Sequence, residues 1–308
     1  MDPDGTDKRK VTSGGSTSKP FRHPRWSPDG TMLVFDTADD SYVMESQSNV
    51  YLLRKGRLTK LQLPRDCSAA TSPAFSVKGD RILFYCYPSA SYLNAYQTMK
   101  TPAVRAPAVG SVGLDGSGWR PIIYHIPTGQ TDQPAVGVGT NLGIPVGIDV
   151  SPSDGAILIR LLPFQSVMDN GRIALASSGG SNLRVLPDLG GGENSAWRGR
   201  FAANGVDIVV SQCQKVCNDR DRTDFVYAFV RVNRSGVTTK KLLTLPASSL
   251  ADLPTGSPGG TYLTYSLHPR GQSRSTMYVA DLSKGSQKTV GAGRDPAWQP
   301  KAVPLPSS

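Results

Sequence analysis

The chain has 308 residues, of which 38% are hydrophobic, and its 32 glycines and 24 prolines are typical of a turn-rich, mostly β protein. No apolar run approaches the roughly 18 residues that a membrane-spanning helix needs, and helical periodicity is scarce. The net charge of +10 favours acidic partners, but the basic residues are scattered, which argues against a nucleic-acid-binding face.

The acidic residues near the N-terminus allow two interpretations. Asp2, Asp4 and Asp7 alternate around a glycine with the spacing of a calcium-binding loop. The same residues fit a hairpin turn, and this interpretation is favoured because no glutamate closes the loop as a bidentate ligand. We therefore expect no cofactor, with a calcium ion on these three aspartates as the weaker alternative.

A short motif recurs along the chain and defines a repeat. It first occurs at 24–30 as Pro-Arg-Trp-Ser-Pro-Asp-Gly, and an apolar run at 32–35 follows at once. Proline presets the backbone for a turn and glycine accepts a positive φ, so the motif predicts a tight turn before a buried strand. The motif restarts at Pro296–Pro300. Eroded copies place four residues at the position of Ser27, with successive spacings of 49, 75, 51 and 55: Ser76, Ser151, Ala202 and Ser257.

Each repeat continues with a second predicted strand pair around a glycine. These pairs cover 50–61, 109–123, 173–186, 226–245 and 277–290, with Gly56, Gly116, Gly180, Gly236 and Gly285 at the turns. Each repeat thus offers four strands in a sheet that needs neighbours on both faces. This arrangement predicts a β-propeller.

The repeat motif, the strand that follows it and the Asp-Pro-Asp-Gly turn at 2–5 resemble TolB-type propellers with WD-repeat-like blades. The resemblance spans essentially the whole chain, and its motif is sharpest at 24–30 and 296–300. It implies an all-β propeller of six four-stranded antiparallel blades and frequent export to the periplasm or cell surface. It does not imply one function, because such blades serve scaffolds, substrate-gating domains and a few enzymes.

We expect a single propeller over 1–300, with blades starting near 24, 73, 147, 198, 254 and 296, and a tail at 301–308. The sixth blade would be a composite of the half-repeat at 1–12 and the strand at 296–300, which leaves it without its second strand. We therefore expect the native protein to begin upstream of Met1; the alternatives are a shortened sixth blade or five blades. An upstream start fits a periplasmic or extracellular protein, whereas a start at Met1, which lacks a signal-peptide pattern, fits a cytoplasmic one.

Four cysteines are compatible with two disulfides in an exported protein and equally with four thiols in the cytosol. The pairs that the sequence suggests are Cys67 with Cys86 and Cys213 with Cys217.

Two insertions, at 88–108 and 212–224, enlarge the loops between second and third strands, which share one face of a propeller. His23, His125 and His268 are expected near that face, where a metal or acid–base site would need them. No two of them share a ligand spacing, so three unrelated loop histidines are the favoured interpretation. No catalytic sequence motif is present.

We therefore expect a monomeric, non-catalytic scaffold that binds a protein or cell-envelope partner on this loop-rich face. The alternative is a carbohydrate-active lyase or hydrolase with its site at the mouth of the central channel, where the positive charge would suit an acidic saccharide. The predicted binding residues are His23, Arg25, Tyr92, Tyr96, Lys100, Arg105, Arg220, Arg222, His268 and Arg270.

Overall fold

Five sheets, each built around four antiparallel strands, follow one another along the chain and form a β-propeller. The computed structural model describes residues 20–37, 48–88, 107–126, 137–139, 144–162, 172–187, 199–215, 226–251, 253–269, 275–293 and 295–300. The sheets are called blades below and are numbered in chain order.

The strands have the following bounds. The first blade comprises β1 (Arg22–Trp26), β2 (Met32–Asp36), β3 (Val50–Arg54) and β4 (Arg57–Lys60). The second comprises β5 (Cys67–Phe75), β6 (Arg81–Pro88), β7 (Pro107–Gly113) and β8 (Arg120–Ile126), with β9 (Gly137–Gly139) added parallel to β8. The third comprises β10 (Ile144–Val150), β11 (Ile157–Leu162), β12 (Arg172–Ala176) and β13 (Arg184–Val185). The fourth comprises β14 (Gly199–Phe201), β15 (Ile208–Lys215), β16 (Val226–Val232) and β17 (Thr238–Thr244). In the fifth, β18 (Ser249–Ala251) and β19 (Thr255–Gly256) both pair with β20 (Tyr262–Pro269), followed by β21 (Thr276–Asp281) and β22 (Ser286–Ala292).

Within each blade the strands are hydrogen-bonded in chain order, and the first strands of the first four blades contact one another in sequence. The first strands therefore form the inner wall of the ring. Antiparallel order places the turns between strands one and two, and three and four, at one end of every blade. The loops between strands two and three lie at the other end, together with the connections between blades. This second end is the loop-rich face, and most of its loops lie outside the described residues.

The repeat motif forms the turn between the first two strands of each blade. In the first blade Gly30 has a φ of +73°, and its N–H donates to Ser27 O at 2.8 Å. The Ser27 Oγ accepts the N–H of Met32 at 2.9 Å, which fixes the start of β2. A positive φ costs glycine little, so the repeat requires glycine here. The equivalent glycines, with φ between +67° and +74°, are Gly79, Gly155, Gly205 and Gly260.

Successive blades share apolar cores because their second strands are apolar on both faces. Val34 of β2 packs with Phe75 and Phe84 of the second blade in one cluster, and Val34 and Phe84 are fully buried. Similar clusters join the second blade to the third, the third to the fourth, and the fourth to the fifth. Burying each such side chain contributes about 1.5–3 kcal/mol, so inter-blade packing is the main source of stability.

The prediction of six blades is not met by the described residues, which form five. Residues 295–300, predicted to begin a sixth blade, form no strand within the described ranges. Two positions of this segment, Pro296 and Pro300, have no backbone N–H to donate to a neighbouring strand. The carbonyl of Pro296 accepts the hydroxyl of Thr255 at 2.8 Å. Trp298 Nε1 donates to Thr255 O at 3.1 Å, and Gln299 Nε2 donates to Gly30 O at 2.8 Å. The segment thus bridges the fifth blade and the first. The half-repeat at 1–12 lies outside the described residues.

A disulfide joins Cys67 of β5 to Cys86 of β6, so two neighbouring strands of the second blade are covalently linked. Cys217 and most of the two insertions lie outside the described residues. Within the described ranges, no helix has the length and apolar character that crossing a membrane requires.

Candidate functional site at the centre of the ring

The inner wall is irregular at one shared position of the repeat. His23 and Ser72 each lie four residues before the repeat serine, and their φ angles are +50° and +53°. Asp295 stands at the corresponding place before Gln299 and has a φ of +51°. This backbone region is unfavourable for residues with a side chain, and such strain is often found beside functional groups. The register slips in β1 and β5 at His23 and Ser72, which re-aims the polar side chains of these strands.

An ion pair between Arg25 and Asp149 connects blades that are not adjacent along the chain. Arg25 of β1 donates from Nε and Nη2 to Asp149 Oδ1, at 3.0 and 2.6 Å. The Asp149 Oδ2, on β10, accepts the backbone N–H of Phe201 on β14 at 2.8 Å. The two side chains are 16% and 6% exposed, so the pair is largely removed from water. It ties the first, third and fourth blades together inside the ring.

Asp36, at the end of β2, is fully buried and serves as the acceptor for several groups. Its Oδ2 lies 2.9 Å from His23 Nδ1 and accepts the Thr71 hydroxyl at 2.8 Å. The same oxygen accepts the backbone N–H of Ser72 at 2.6 Å. This carboxylate thus links the first two blades at the end nearest the loop-rich face, and it holds His23 by one ring nitrogen.

Asp295 is the third buried carboxylate and accepts from the first blade. Arg22 Nε donates to its Oδ2 at 2.6 Å, and the N–H of His23 donates to the same oxygen at 3.3 Å. Burial by itself would raise the pKa of Asp295, but the charges of His23 and Arg22 and the Arg22 hydrogen bond outweigh it. The pKa of this carboxyl is therefore held well below its usual range, and Asp295 is ionised at neutral pH.

The charged side chains at the centre of the ring are called the central cluster below: Arg22, His23, Arg25, Asp36, Asp149 and Asp295, with Arg160 and Arg200. These last two arginines contact no carboxylate within the described residues. Arg160 of β11 donates from Nη2 to Ser72 Oγ at 2.6 Å. Arg200 of β14 donates from Nη1 to Thr255 Oγ1 at 2.7 Å and to Pro296 O at 3.2 Å. Burial, and then the repulsion of Arg25, lower the pKa of Arg160 to about 10 and that of Arg200 well below its ordinary value.

The chemistry of the cluster follows from this pairing. Each of the three carboxylates is engaged by an arginine or by His23, so the aspartates act as ion-pair partners that join blades. The side chain of His23 is 16% exposed, and its Nδ1 lies 2.9 Å from the buried carboxylate of Asp36. A histidine oriented in this way has the geometry of a general base.

The structure describes the side-chain surroundings of two predicted binding residues, His23 and Arg25, and places both in the central cluster. His268 lies in β20, where its backbone pairs with Leu250, and His125 lies in β8. The other predicted binding residues lie outside the described residues: Tyr92, Tyr96, Lys100, Arg105, Arg220, Arg222 and Arg270. So do Asp2, Asp4 and Asp7 of the calcium alternative. In the part of the chain that is described, no three His, Cys, Asp or Glu side chains converge as metal ligands would.

Most of the cluster was not predicted from the sequence, although the repeat contains a signal for it. Arg25, Asp149 and Arg200 all stand two residues before the repeat position, and a charged residue there is unusual in a buried inner strand. Arg160 interrupts the otherwise apolar run of β11 in the same way. The residues that sequence reasoning missed are Arg22, Asp36, Asp149, Arg160, Arg200 and Asp295.

A shallow cavity at the opposite end, between the third and fourth blades, is a weaker candidate. Its lining includes Asp154, Leu175, Asn182 and Arg234. Arg234 donates to Asp154 at 2.6 Å, and this contact holds the pKa of the carboxyl well below its usual range. The main charged groups of this cavity are thus already paired with each other.

No protein-family model and no curated protein matches this sequence. The structure is similar to TolB from Acinetobacter baumannii, with a TM-score of 0.57 and 18% identity over 92% of this chain. This chain spans 58% of that TolB chain. A putative TolB from Agrobacterium tumefaciens gives 0.58 and 14% identity, covering 92% of this chain and 87% of the other. An oligogalacturonate lyase from Vibrio parahaemolyticus gives 0.50 and 10%, covering 92% and 67%. At these identities the similarities establish a TolB-like propeller fold.

Proposed function

We propose that this chain is a non-catalytic propeller scaffold that binds a protein or cell-envelope partner on its loop-rich face. The observation that carries the proposal is that buried aspartates inside the ring are paired with arginines. The carboxylates that a hydrolase would use are bound to cations of other blades: Asp149 to Arg25, and Asp295 to Arg22. Groups used in this way rigidify the ring, and a rigid ring presents loops in fixed positions.

The proposed contact residues combine charge with aromatic area, which suits an acidic partner. The net charge of +10 steers such partners over long range. Tyrosines and arginines, both present among the proposed contacts, often supply most of the binding energy in protein interfaces. The proposed contacts are His23, Arg25, Tyr92, Tyr96, Lys100, Arg105, Arg220, Arg222, His268 and Arg270. The Cys67–Cys86 disulfide supports a periplasmic or extracellular location, because disulfides persist in oxidising compartments.

The proposal is tested by partner capture from the source cell with one variant of the proposed face and one control variant at the opposite end. The first is Lys100→Ala with Arg105→Ala, Arg220→Ala and Arg222→Ala, which removes four charges from the proposed face. The second is Lys55→Ala with Arg57→Ala at the opposite end of the first blade, where both residues are exposed. We expect the first variant to lose the partner and the second to retain it. The reverse pattern would overturn the proposed face.

The second candidate is a lyase or hydrolase that acts on an acidic saccharide at the mouth of the channel. The observation that favours it is His23, which is held 2.9 Å from Asp36 and remains partly exposed among arginines. An arginine-rich surrounding would bind a uronate carboxylate. Incubation of the protein with oligogalacturonate tests this candidate directly. Turnover that disappears in His23→Ala would support the enzyme, whereas absence of turnover by the wild type rejects it for this substrate class.

A further inference from the structure

Arg160 and Arg200 are buried cations without a carboxylate partner among the described residues. They are 4% and 3% exposed. Their hydrogen bonds go to neutral oxygens: the hydroxyls of Ser72 and Thr255 and the carbonyl of Pro296. The Nε of each guanidinium is buried and has no hydrogen-bond partner in the described ranges. A buried charge in this state is costly, so these two arginines require an explanation.

The aspartates of the cluster act on Arg160 and Arg200 only through space, because their direct contacts are with other groups. Asp149 is bound by Arg25, and Asp295 is bound by Arg22. Asp36 accepts His23, Thr71 and the N–H of Ser72. Four arginines therefore face three aspartates in the described centre of the ring, which leaves a positive excess even when His23 is neutral.

The two unpaired guanidinium groups belong to one electrostatic environment. Burial is the largest cause that lowers the pKa of each, and the positive charge of Arg25 lowers both further, whereas the charges of Asp149 and Asp295 raise both. Neither carboxylate makes a direct contact with Arg160 or Arg200 among the described residues, so the two buried charges are compensated only at a distance. A guanidinium offers a planar fork of N–H donors that matches the oxygens of carboxylate and phosphate.

The backbone leaves room for Arg160 to reach the centre of the ring. Arg160 starts from β11, the second strand of its blade, and passes Gly147 of β10 to contact Ser72 on the second blade. A Cβ at position 147 would lie 1.9 Å from Arg160 Nη2 and 2.4 Å from Ser72 Oγ. Glycine at this place is therefore a requirement of the guanidinium position.

We propose that the centre of the ring binds a small oxyanion, a carboxylate or a phosphate, with Arg160 and Arg200 as its cationic ligands. The anion compensates the two buried charges and occupies their free Nε donors. The oxyanion is either a free ion or the terminal carboxylate of a peptide that enters the ring. The proposed ligands Arg160 and Arg200 are not among the proposed docking contacts, so either proposal stands without the other.

Nuclear magnetic resonance of small ligands tests the site with the wild-type chain. Inorganic phosphate is observed by its ³¹P signal and acetate by its methyl ¹H signal, at constant ionic strength. Acetyl-Gly-Gly-Ala with a free C-terminus is compared with the same peptide carrying a C-terminal amide. Saturable broadening of phosphate and acetate identifies a free ion as the ligand. Broadening of the free-acid peptide alone identifies a terminal carboxylate. Absence of saturable broadening for all three oxyanions overturns the proposal.

Variants assign the binding to the two arginines. Arg160→Met and Arg200→Met keep the side-chain volume and remove the charge, and each is expected to weaken binding about tenfold or more. Arg57→Met on the exposed β4 removes one surface charge and is expected to leave binding unchanged. Unchanged binding in the folded Arg160→Met, Arg200→Met double variant would show that the ligand sits elsewhere. If these variants do not fold, the wild-type titration still decides between binding and no binding.

Discussion

Arg22 and Asp295 are 273 positions apart, yet Nε of the arginine donates to Oδ2 of the aspartate at 2.6 Å in a buried setting. The pair connects the first inner strand to the segment that follows the last blade. It therefore fastens the two ends of the described chain to each other. Three of the five predictions below test how far this central cluster holds the ring together.

Arg22→Met is expected to lower the free energy of unfolding by about 3–5 kcal/mol, because it leaves the buried Asp295 carboxylate without its main cation. Urea unfolding at neutral pH measures the change. Lys284→Met is the control: Lys284 is 76% exposed and lies 3.6 Å from Asp281, and such pairs contribute less than about 1 kcal/mol. Similar small losses in both variants would contradict a stabilising role for the central pair.

Acid is expected to weaken the same contact. The folded pKa of Asp295 is lowered, so its contribution is fully present above the unfolded value of about 3.9 and is lost as pH falls toward the folded pKa. The stability difference between wild type and Asp295→Asn should therefore shrink as pH falls below about 4. Urea midpoints for both proteins between neutral and acid pH measure it. A difference that stays constant with pH would show that the charge of Asp295 is not responsible.

Arg160→Met and Arg25→Met are expected to act in opposite directions. Removing Arg160 relieves a buried charge that has no direct carboxylate contact in the described part of the chain, so stability in buffer free of polyvalent anions should be unchanged or raised by about 1–3 kcal/mol. Removing Arg25 leaves Asp149 buried without its cation and should cost about 3–5 kcal/mol. Chemical denaturation of the two variants tests this contrast. A clear loss of stability in Arg160→Met would mean that its packing outweighs its charge.

Alanine substitutions at two turn glycines distinguish the cost of backbone strain from the cost of a clash between blades. Gly180 and Gly260 have φ values of +83° and +68°, so alanine should cost roughly 1–2 kcal/mol at either position. A Cβ at position 180 would also lie 2.3 Å from Ile122 O of the second blade, whereas a Cβ at position 260 meets nothing within 4 Å. Gly180→Ala should therefore be the more destabilising variant by about 1–3 kcal/mol in thermal or urea unfolding. Equal losses would show that the second and third blades can separate at this turn without penalty.

Removal of the disulfide should destabilise the second blade. Cys67 and Cys86 are separated by 19 residues, and closing a loop of this length contributes about 3 kcal/mol. The Cys67→Ser, Cys86→Ser double variant should therefore melt at a lower temperature than the oxidised wild type. Calorimetry of the two proteins checks the expectation. An unchanged melting temperature would indicate that neighbouring strand pairing already constrains this loop.

Local features of the chain were predictable because they depend on residues close in sequence. The turn at Gly30 follows from Ser-Pro-Asp-Gly, whose proline and glycine have restricted or special φ preferences. The strand at 32–36 follows from an uninterrupted apolar run. The five strand pairs around Gly56, Gly116, Gly180, Gly236 and Gly285 were predicted for the same reason, and the structure forms a strand on each side of every one of these glycines. The blade count was wrong for the described residues, since closure depends on contacts between distant segments rather than on the repeat.

The sequence by itself determined the repeat, its turns and the propeller architecture, because backbone preferences at turns and apolar runs in strands depend on neighbouring residues. The tertiary structure decided the rest. Sequence analysis identified His23 and Arg25, but the way in which they meet Asp36 and Asp149 depends on which blades face each other across the ring. Arg160 interrupts an apolar strand, and in the sequence it looks like a local inconsistency. Only the tertiary structure shows that Arg160 passes Gly147 to contact Ser72 and that its charge is buried at the centre. The Coulomb energy there depends on distances in space that the order of residues does not specify.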